Sequence, residues 1–393
     1  MTSIMMKSMN TITTISTKNK FWIWTAAIFF AVSFLIPVGV HAQEQEINPE
    51  EPIVIQDEFY NGKVVSVSKE ETRDEFGMQL LSQSLLVEIT GGPEKGQRFS
   101  INYEINANEA DARRLEKGDR IILGKGGTPD GKYYISDVYR LNVLWIILAF
   151  FFVVTVIFAR WYGVRAFIGL AISFAIIIGF IVPFIIDGKN PLFISLVGTI
   201  AIACTAIFVA HGVKKRTVIA FLSTLLTIGL ALCLAILFVK TMRLFGIGTE
   251  DAFYLQFAPI AQINLRGLLL GGILIGCLGV LDDVTTAQAA AVEEIYRANK
   301  KLGFGELYKR GMSVGREHII SVVNTLVLAY TGASLPLLLL FKIYERPVWV
   351  TLNSEIIIEE LVRMIVGSIA LVFAVPITTL FAAYYFGVMT KKK

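Results

Sequence analysis

The stretch GLLLGGILIGCLGVLDDVTTAQAAAVEEI, residues 267–295, decides the class of fold. Its first fifteen residues carry no charge, and two adjacent carboxylates, Asp282 and Asp283, follow directly. Nothing between Ala261 and Asn299 breaks a helix outright, so one continuous helix is predicted, about 55 Å long at 1.5 Å per residue. Such a helix crosses the roughly 30 Å hydrocarbon core of a bilayer and projects beyond it.

The composition of the whole chain agrees with a membrane protein. Of 393 residues, 54% are hydrophobic and 17% charged, and the mean hydropathy is +0.63. A soluble domain is rarely so apolar. In lipid every backbone polar group must be satisfied within the chain, so the long apolar runs are predicted to be helices. The predicted fold class is an all-α polytopic membrane bundle, with the lipid bilayer as its first partner.

Cysteine and histidine usage gives no sign of a metal or cofactor. The three cysteines are widely spaced inside apolar runs, and the three histidines are scattered without metal-binding spacing. We therefore expect buried reduced thiols, no metal and no cofactor. The residues are Cys204, Cys233, Cys277, His41, His211 and His318.

The N-terminal segment, 1–42, has the features of a signal peptide or a signal-anchor helix. Lysines precede an apolar stretch, 21–40, and Ala42 with Val40 fits signal-peptidase cleavage. The stretch is also long enough to span a membrane, so cleavage and retention both stay open. In either case residue 43 emerges on the outer side, where an acidic linker, 43–57, begins.

Residues 58–140 are predicted to form a small exported β-rich domain. Five short β-rich runs are separated by turn sequences and one helical insert, which is typical of a small antiparallel barrel, possibly OB-like. Such a barrel either binds an extracytoplasmic protein partner or caps the membrane part. It has no basic, aromatic-rich face, so nucleic acid is not expected as a partner.

Seven further apolar runs in residues 141–388 are long enough to span a membrane, and 389–393 form a basic tail. The predicted spans are 141–159, 166–186, 192–210, 217–239, 263–281, 319–341 and 364–386. Pro183, Pro336 and Pro376 predict kinks. The outer loop 342–363, with its IIIEELVR, is predicted to contain an interfacial helix.

The charges of the loops orient these spans. Starting outside at residue 140, fourteen lysines and arginines fall on the inner side and six on the outer side. Cytoplasmic loops carry such an excess, so residues 43–140 are predicted outside the cell and the C-terminus inside. The predicted location is a membrane that the chain crosses several times.

Two helical faces are predicted to meet near the double aspartate. Gly272, Gly276 and Gly279 form a small-residue stripe that continues to Asp283 and would allow close helix packing. On the next span a polar row includes Glu317, Ser321 and Asn324, with Thr325 beside it. If the glycine stripe faces the bundle, Asp283 and Asn324 lie close enough to interact.

An unpaired charge within lipid costs at least ~3 kcal/mol, so an intramembrane carboxylate is a functional candidate. The candidates for binding an ion, proton or substrate are Asp283, Asp282, Asn324, Thr325 and Glu317. For each, a structural interpretation competes: Asp282 and Glu317 as solvated helix ends, Asp283 as a hydrogen-bond anchor, Asn324 as an interhelical contact.

No enzyme motif is complete. Patterns of intramembrane proteases and phosphate-binding loops are missing, and the two EExxR sequences are one residue short of the EExxxR of membrane CAAX-type proteases. We expect no enzyme and no catalytic residue.

Two blocks resemble a known family. GCLGVLDDVTTAQAAAVEEI (276–295) and GREHIISVVNTLVLAYTGASLPLLLLF (315–341) closely resemble the YibE/F-like family of bacterial multi-pass membrane proteins. The exported KGDRI (117–121) and the YRL (139–141) fit too, so the resemblance covers roughly 58–388. It implies family motif positions at Gly276, Gly279, Asp283, Asn324, Thr325 and Gly332, and at Asp282 a variant with both acids.

Two functional hypotheses remain. The first is a transporter or permease-like protein that uses an intramembrane carboxylate to move an unknown small solute or ion. The second is a non-catalytic membrane scaffold or sensor whose extracytoplasmic β domain binds a partner.

Overall fold

The computed structural model describes residues 57–75, 78–106, 113–127, 131–257, 263–344 and 347–389. The predicted signal peptide or anchor, nearly all of the acidic linker and the tail lysines lie outside these residues. The chain divides into two compact units, the first reaching Val154 and the second running from Thr155.

The first unit is an antiparallel half-barrel. Its strands are β1 (Glu58–Glu75), β2 (Met78–Ile89), β3 (Arg98–Asn106), β4 (Arg120–Lys125) and β5 (Tyr133–Val138), in the order β3-β2-β1-β4-β5. The rings of Phe99 on β3 and Tyr133 on β5 stack with centroids 4.3 Å apart, which brings the two ends of the sheet together. The predicted small antiparallel β domain is confirmed at this level.

Alternation along β2 builds the core of the half-barrel. Leu85, Val87 and Ile89 are fully buried, as expected for side chains that share one face of a strand. Gln83 lies on the same inward row, and its amide satisfies both backbone groups of Leu115, at 3.0 and 3.1 Å. A buried amide with both ends paired is stable and fixes where the chain returns from β3 to β4.

The second unit is helical. Helix α1 (Leu141–Ala159), none of whose residues is buried, begins in the first unit and ends in the second. The next helix, α2 (Trp161–Ile176), continues through a π-helical segment, Ile177–Ile181, into the turn Val182–Ile186. Then follow α3 (Pro191–His211), α4 (Lys215–Thr241), α5 (Glu250–Leu255), α6 (Leu265–Ala298), α7 (Phe304–Ala333), α8 (Leu335–Ile343), α9 (Val348–Leu352) and α10 (Glu355–Tyr384).

Six of these described helices are long and apolar enough to cross a membrane, or seven if α7 and α8, bent by 54° at Ser334, count as one span. The bend lies beside Pro336, where a kink was predicted. The uninterrupted helix predicted through the double aspartate is confirmed as α6, which has 34 residues.

One prediction about the loops is wrong. The sequence IIIEELVR is not a separate interfacial helix but the beginning of α10, which runs unbroken for 30 residues. The glutamates made this segment look like a surface helix. Two of them instead bind loop backbone: Glu355 accepts hydrogen bonds from Phe245 N and Gly246 N, and Glu359 accepts one from Gly248 N.

Helix α6 lies at the centre of the bundle and packs against α3, α4, α7 and α10. Its buried side chains belong to one large core, with Leu274 and Leu281 facing residues such as Ala231 and Ala370. The helix therefore brings its double aspartate to a place where several helices meet.

Candidate functional site

A cavity of about 360 Å³ lies where four helices converge near the double aspartate. We call it the His–Asp pocket. It is lined by His211 of α3, by Arg216, Thr217 and Ala220 of α4, by Asp283, Thr286, Ala287 and Ala290 of α6, and by His318 of α7. Two imidazoles, one carboxylate and one guanidinium thus share one small space.

A tight turn between α3 and α4 positions two of these groups. Helix α3 ends at His211, and Gly212 follows with φ of 74°, a left-handed conformation that favours glycine. Helix α4 begins at Lys215, so Arg216 lies in its first turn. Because the connection is so short, His211 and Arg216 are held at the same end of the helix pair.

An ion pair joins the beginning of α4 to α6. Arg216 lies 3.4 Å from Glu293, which also pairs with Arg297 at 2.8 Å. Deeper in the bundle the hydroxyls of Thr224 and Thr285 are 2.7 Å apart and fully buried. These two contacts fix the register of α4 against α6.

A buried glutamine joins three helices below the pocket. Gln288 of α6 donates from Nε2 to Gly311 O of α7 at 2.9 Å and to Thr379 Oγ1 of α10 at 2.7 Å. Gly311 and Gly315 give room for it: a Cβ at Gly311 would come within 2.8 Å of both Thr379 and Val292. The wall of the pocket that carries His318 is thereby held in place.

The two aspartates differ in environment, in the opposite sense to the prediction. Asp283 is exposed and lines the pocket, whereas Asp282 is half-buried. The Oδ1 atom of Asp282 is enclosed and has no hydrogen-bond partner among the described residues. Asp282, which was expected to be the more solvated of the two, is the more enclosed.

The polar row predicted on the next span does not reach the pocket. Glu317, Asn324 and Thr325 are exposed on α7, and none of them lines the cavity. Thr325 donates its hydroxyl to Ser321 O on its own helix. The expected meeting of Asp283 with Asn324 is not seen, and His318 is the side chain of α7 that joins Asp283.

The glycine stripe lies on an exposed face of α6. A Cβ at Gly272 or Gly279 would meet nothing within 4 Å, and at Gly276 it would meet only Tyr330 Oη at 3.5 Å. Close packing occurs instead one residue away, where a Cβ at Gly271 would overlap Ser195 of α3. Among the described residues the stripe is therefore not the closely packed helix contact that was predicted.

Three pocket residues were missed as site candidates: His211, Arg216 and Thr217. A signal existed, because all three lie at the predicted inner ends of two consecutive spans, the same side as Asp283. Thr217 is 2% exposed, and its hydroxyl has no hydrogen-bond partner in the described part of the chain. His318 was likewise not among the site candidates, since the three histidines show no metal-binding spacing.

The side chains in and around the pocket do not form a metal cage. Among the described residues no group of three or more histidine, cysteine, aspartate or glutamate side chains is placed to hold a metal ion. What the pocket offers is groups that gain and lose protons beside hydroxyls that give and accept hydrogen bonds.

At the opposite end of α6 a second cavity of about 500 Å³ is bounded by Phe245, Gln256 and the segment 263–266. Arg266 donates from Nε to Leu244 O at 2.9 Å, and its guanidinium lies over the Phe245 ring. Arg266 thus anchors the loop that precedes α5.

The described residues define a helical protein with six or seven candidate membrane spans, preceded in sequence by an antiparallel half-barrel. The chain belongs to the YibE/F-like family: the family model described as YibE/F-like protein matches residues 147–387, and that of the YibE/F family N-terminal domain matches residues 59–138. The resemblance stated from the two sequence blocks is confirmed. No curated protein and no solved structure matches the chain.

Proposed function

We propose that the protein is a multi-pass transport protein of a bacterial cytoplasmic membrane that moves a small ion or polar solute. The observation that carries this proposal is the His–Asp pocket, in which Asp283 shares about 360 Å³ with His211, Arg216 and His318. Ionisable groups gathered between apolar helices mark ion and solute pathways more often than structural contacts.

The position of the pocket supports a binding site that faces the cytoplasm. It lies at the end of the α3–α4 pair that carries Lys214, Lys215 and Arg216, and an excess of basic residues favours the cytoplasmic side. At the other end of α6 the loop that Glu355 and Glu359 bind lies against Leu265 and Arg266, beside the second cavity.

Charge movement tests this proposal without knowledge of the solute. The full-length chain is reconstituted into liposomes, and currents are recorded after concentration jumps of protons, sodium, potassium and chloride, then of small polar solutes. Asp283→Asn is compared with wild type, and Glu294→Gln, an exposed position on the same helix, is the matched control. Loss of current in Asp283→Asn alone supports the proposal. If wild type moves no charge with any of them, the ion-transport form of the proposal is wrong.

The side of the membrane on which the pocket opens is tested by labelling a single introduced cysteine. Ala287 lines the pocket and is exposed. In a chain whose three native cysteines are replaced by serine, Ala287→Cys is expected to react with a membrane-impermeant thiol reagent in inside-out vesicles and not in intact spheroplasts. The reverse labelling pattern would contradict the proposed orientation.

A scaffold or sensor is the alternative, and one observation favours it. Phe59 on β1 is 62% exposed, although aromatic side chains usually bury most of their surface. An exported β domain with such a side chain suits contact with a protein partner. Deleting residues 43–140 should then abolish crosslinks to that partner while ion currents persist, and unchanged crosslinks would reject the alternative.

A further inference from the structure

Two enclosed polar atoms near the double aspartate have no hydrogen-bond partner among the described residues. One is Asp282 Oδ1, and the other is the hydroxyl of Thr217, which lines the His–Asp pocket and is 2% exposed. A buried polar group without a partner costs free energy, and a buried charge without one costs more. A ligand bound beside these two atoms would supply the hydrogen-bond partners that they lack.

The register of α4 against α6 gives the depth of Asp282. Arg216 pairs with Glu293 at 3.4 Å and Thr224 with Thr285 at 2.7 Å, so the two helices run antiparallel in one constant register. Continued by three residues, this register places Thr227 level with Asp282. Asp282 thus lies about one helical turn deeper in the bundle than Thr286, which lines the pocket.

The neighbouring helix α3 gives the same depth. Gly267 lies beside Leu192, and Gly271 beside Ser195, so α3 and α6 run in parallel. Continuing that register by three turns brings Asp282 level with Ile207, one turn short of His211. The carboxyl of Asp282 is therefore on the side of α6 that faces α3 and α4, below the floor of the pocket.

Hydroxyl groups lie between the pocket and Asp282. Ser223, Thr224 and Thr227 of α4 are fully buried, and each donates to a carbonyl of its own helix. Thr286 of α6 donates to Asp282 O at 2.8 Å and also lines the pocket. A hydroxyl oxygen that donates its hydrogen to a carbonyl can still accept a hydrogen bond from another donor.

A proton suits this place better than a metal cation. A metal cation that sheds its water needs several oxygen ligands, and the described residues form no cluster of three metal-binding side chains. A proton needs one acceptor and removes the unpaired charge of a carboxylate. The ionisable groups that line the pocket with Asp283 are His211, Arg216 and His318, while α10 carries none between Met364 and Tyr384.

We propose that Asp283 and Asp282 are two successive proton-binding groups of a proton path, with Asp283 at the pocket and Asp282, one residue earlier on α6, enclosed below the floor of the pocket. A proton taken from cytoplasmic water binds the Asp283 carboxylate, passes to the Asp282 carboxylate and leaves Asp283 ionised for the next proton. Thr217 and the two histidines hold the water from which it comes. This inference rests on the proposed transport function and names its coupling ion.

Proton flux driven by voltage tests the path. Liposomes that contain the full-length chain and a pH-sensitive dye are given an inside-negative potassium diffusion potential with valinomycin. Asp282→Asn and Asp283→Asn are each expected to lower the proton flux about a hundredfold, the lower range of what one positioned proton-transfer group contributes. Asp282→Glu keeps an acid and should retain part of the flux, and Glu294→Gln should equal wild type.

A second measurement covers the case in which Asp282→Asn fails to fold. Wild-type protein in nanodiscs should show an infrared band of a protonated carboxyl that shifts in heavy water and changes frequency in Asp282→Glu. If folded Asp282→Asn conducts protons like wild type, or if the band is unchanged in Asp282→Glu, the inference is overturned. If the protein carries a current of another ion but none of protons, the proton path is wrong and the proposed transport function stands. If it carries no current of any kind, the proton path and the proposed transport function are both wrong.

Discussion

Two sets of glycines on neighbouring helices have opposite surroundings. Gly311 and Gly315 on α7 lie directly against side chains of α6 and α10, whereas Gly272 and Gly279 on α6 face open space. Small residues recur at helical spacing in both sets, so the pattern alone does not tell a packed seam from an open surface. The difference is set by whether a partner helix, here α10, approaches that side.

The largest loss of stability that would test the contrast between the two sets of glycines is expected at Gly315. A Cβ there would overlap Val375 and come within 3.1 Å of Gln288, so Gly315→Val should destabilise the protein by about 3 kcal/mol. Thermal unfolding of the purified chain in detergent measures it. The control is Gly279→Val at an open position, and similar melting temperatures for the two variants would refute the contrast.

A smaller effect is expected at the glutamine that the α7 glycines accommodate. Gln288→Leu removes two hydrogen bonds and leaves Gly311 O without its side-chain donor, which should cost about 2 kcal/mol. Thr331→Val, at an exposed threonine that bonds only its own helix, serves as the control in the same unfolding assay. A loss no larger than that of the control would mean that the three-helix contact is weak.

The smallest change in stability, and one of opposite sign, is expected for the exposed glycine stripe of α6. Alanine is favoured over glycine in a helix by about 1 kcal/mol, so Gly272→Ala and Gly279→Ala should be neutral or slightly stabilising. The same unfolding assay, with size-exclusion chromatography beside it, checks this. Destabilisation together with a smaller oligomer would show that a second copy covers the stripe.

Much of the fold was predictable because bilayer thickness and hydrophobic runs dictate helix length. The continuous α6, the bend near Pro336 and the antiparallel β domain all followed from local sequence. The beginning of α10 did not, because Glu355 and Glu359 bind backbone N–H groups of a loop more than a hundred residues away. No local pattern reports a partner at that distance in sequence.

The sequence predicted Asp283, at the centre of the candidate site, but not the residues that surround it. Asp283 was identified from its place behind an uncharged run, and the structure puts it in the pocket. Its neighbours come from the ends of α3 and α4 and from the middle of α7, and their identity depends on how these helices are registered. The choice of Asn324 over His318 was wrong because helical spacing gives the faces of one helix and not its rotation against the next.

The length of α3 has a consequence for hydration. Its 21 residues span about 31 Å, close to the thickness of a hydrocarbon core, and it ends at His211 on the rim of the pocket. Helix α6 continues past the pocket as far as Ala298. Under the proposed transport function the pocket would therefore lie near the height of the lipid headgroups, and the thickness of the bilayer would set how much water reaches it.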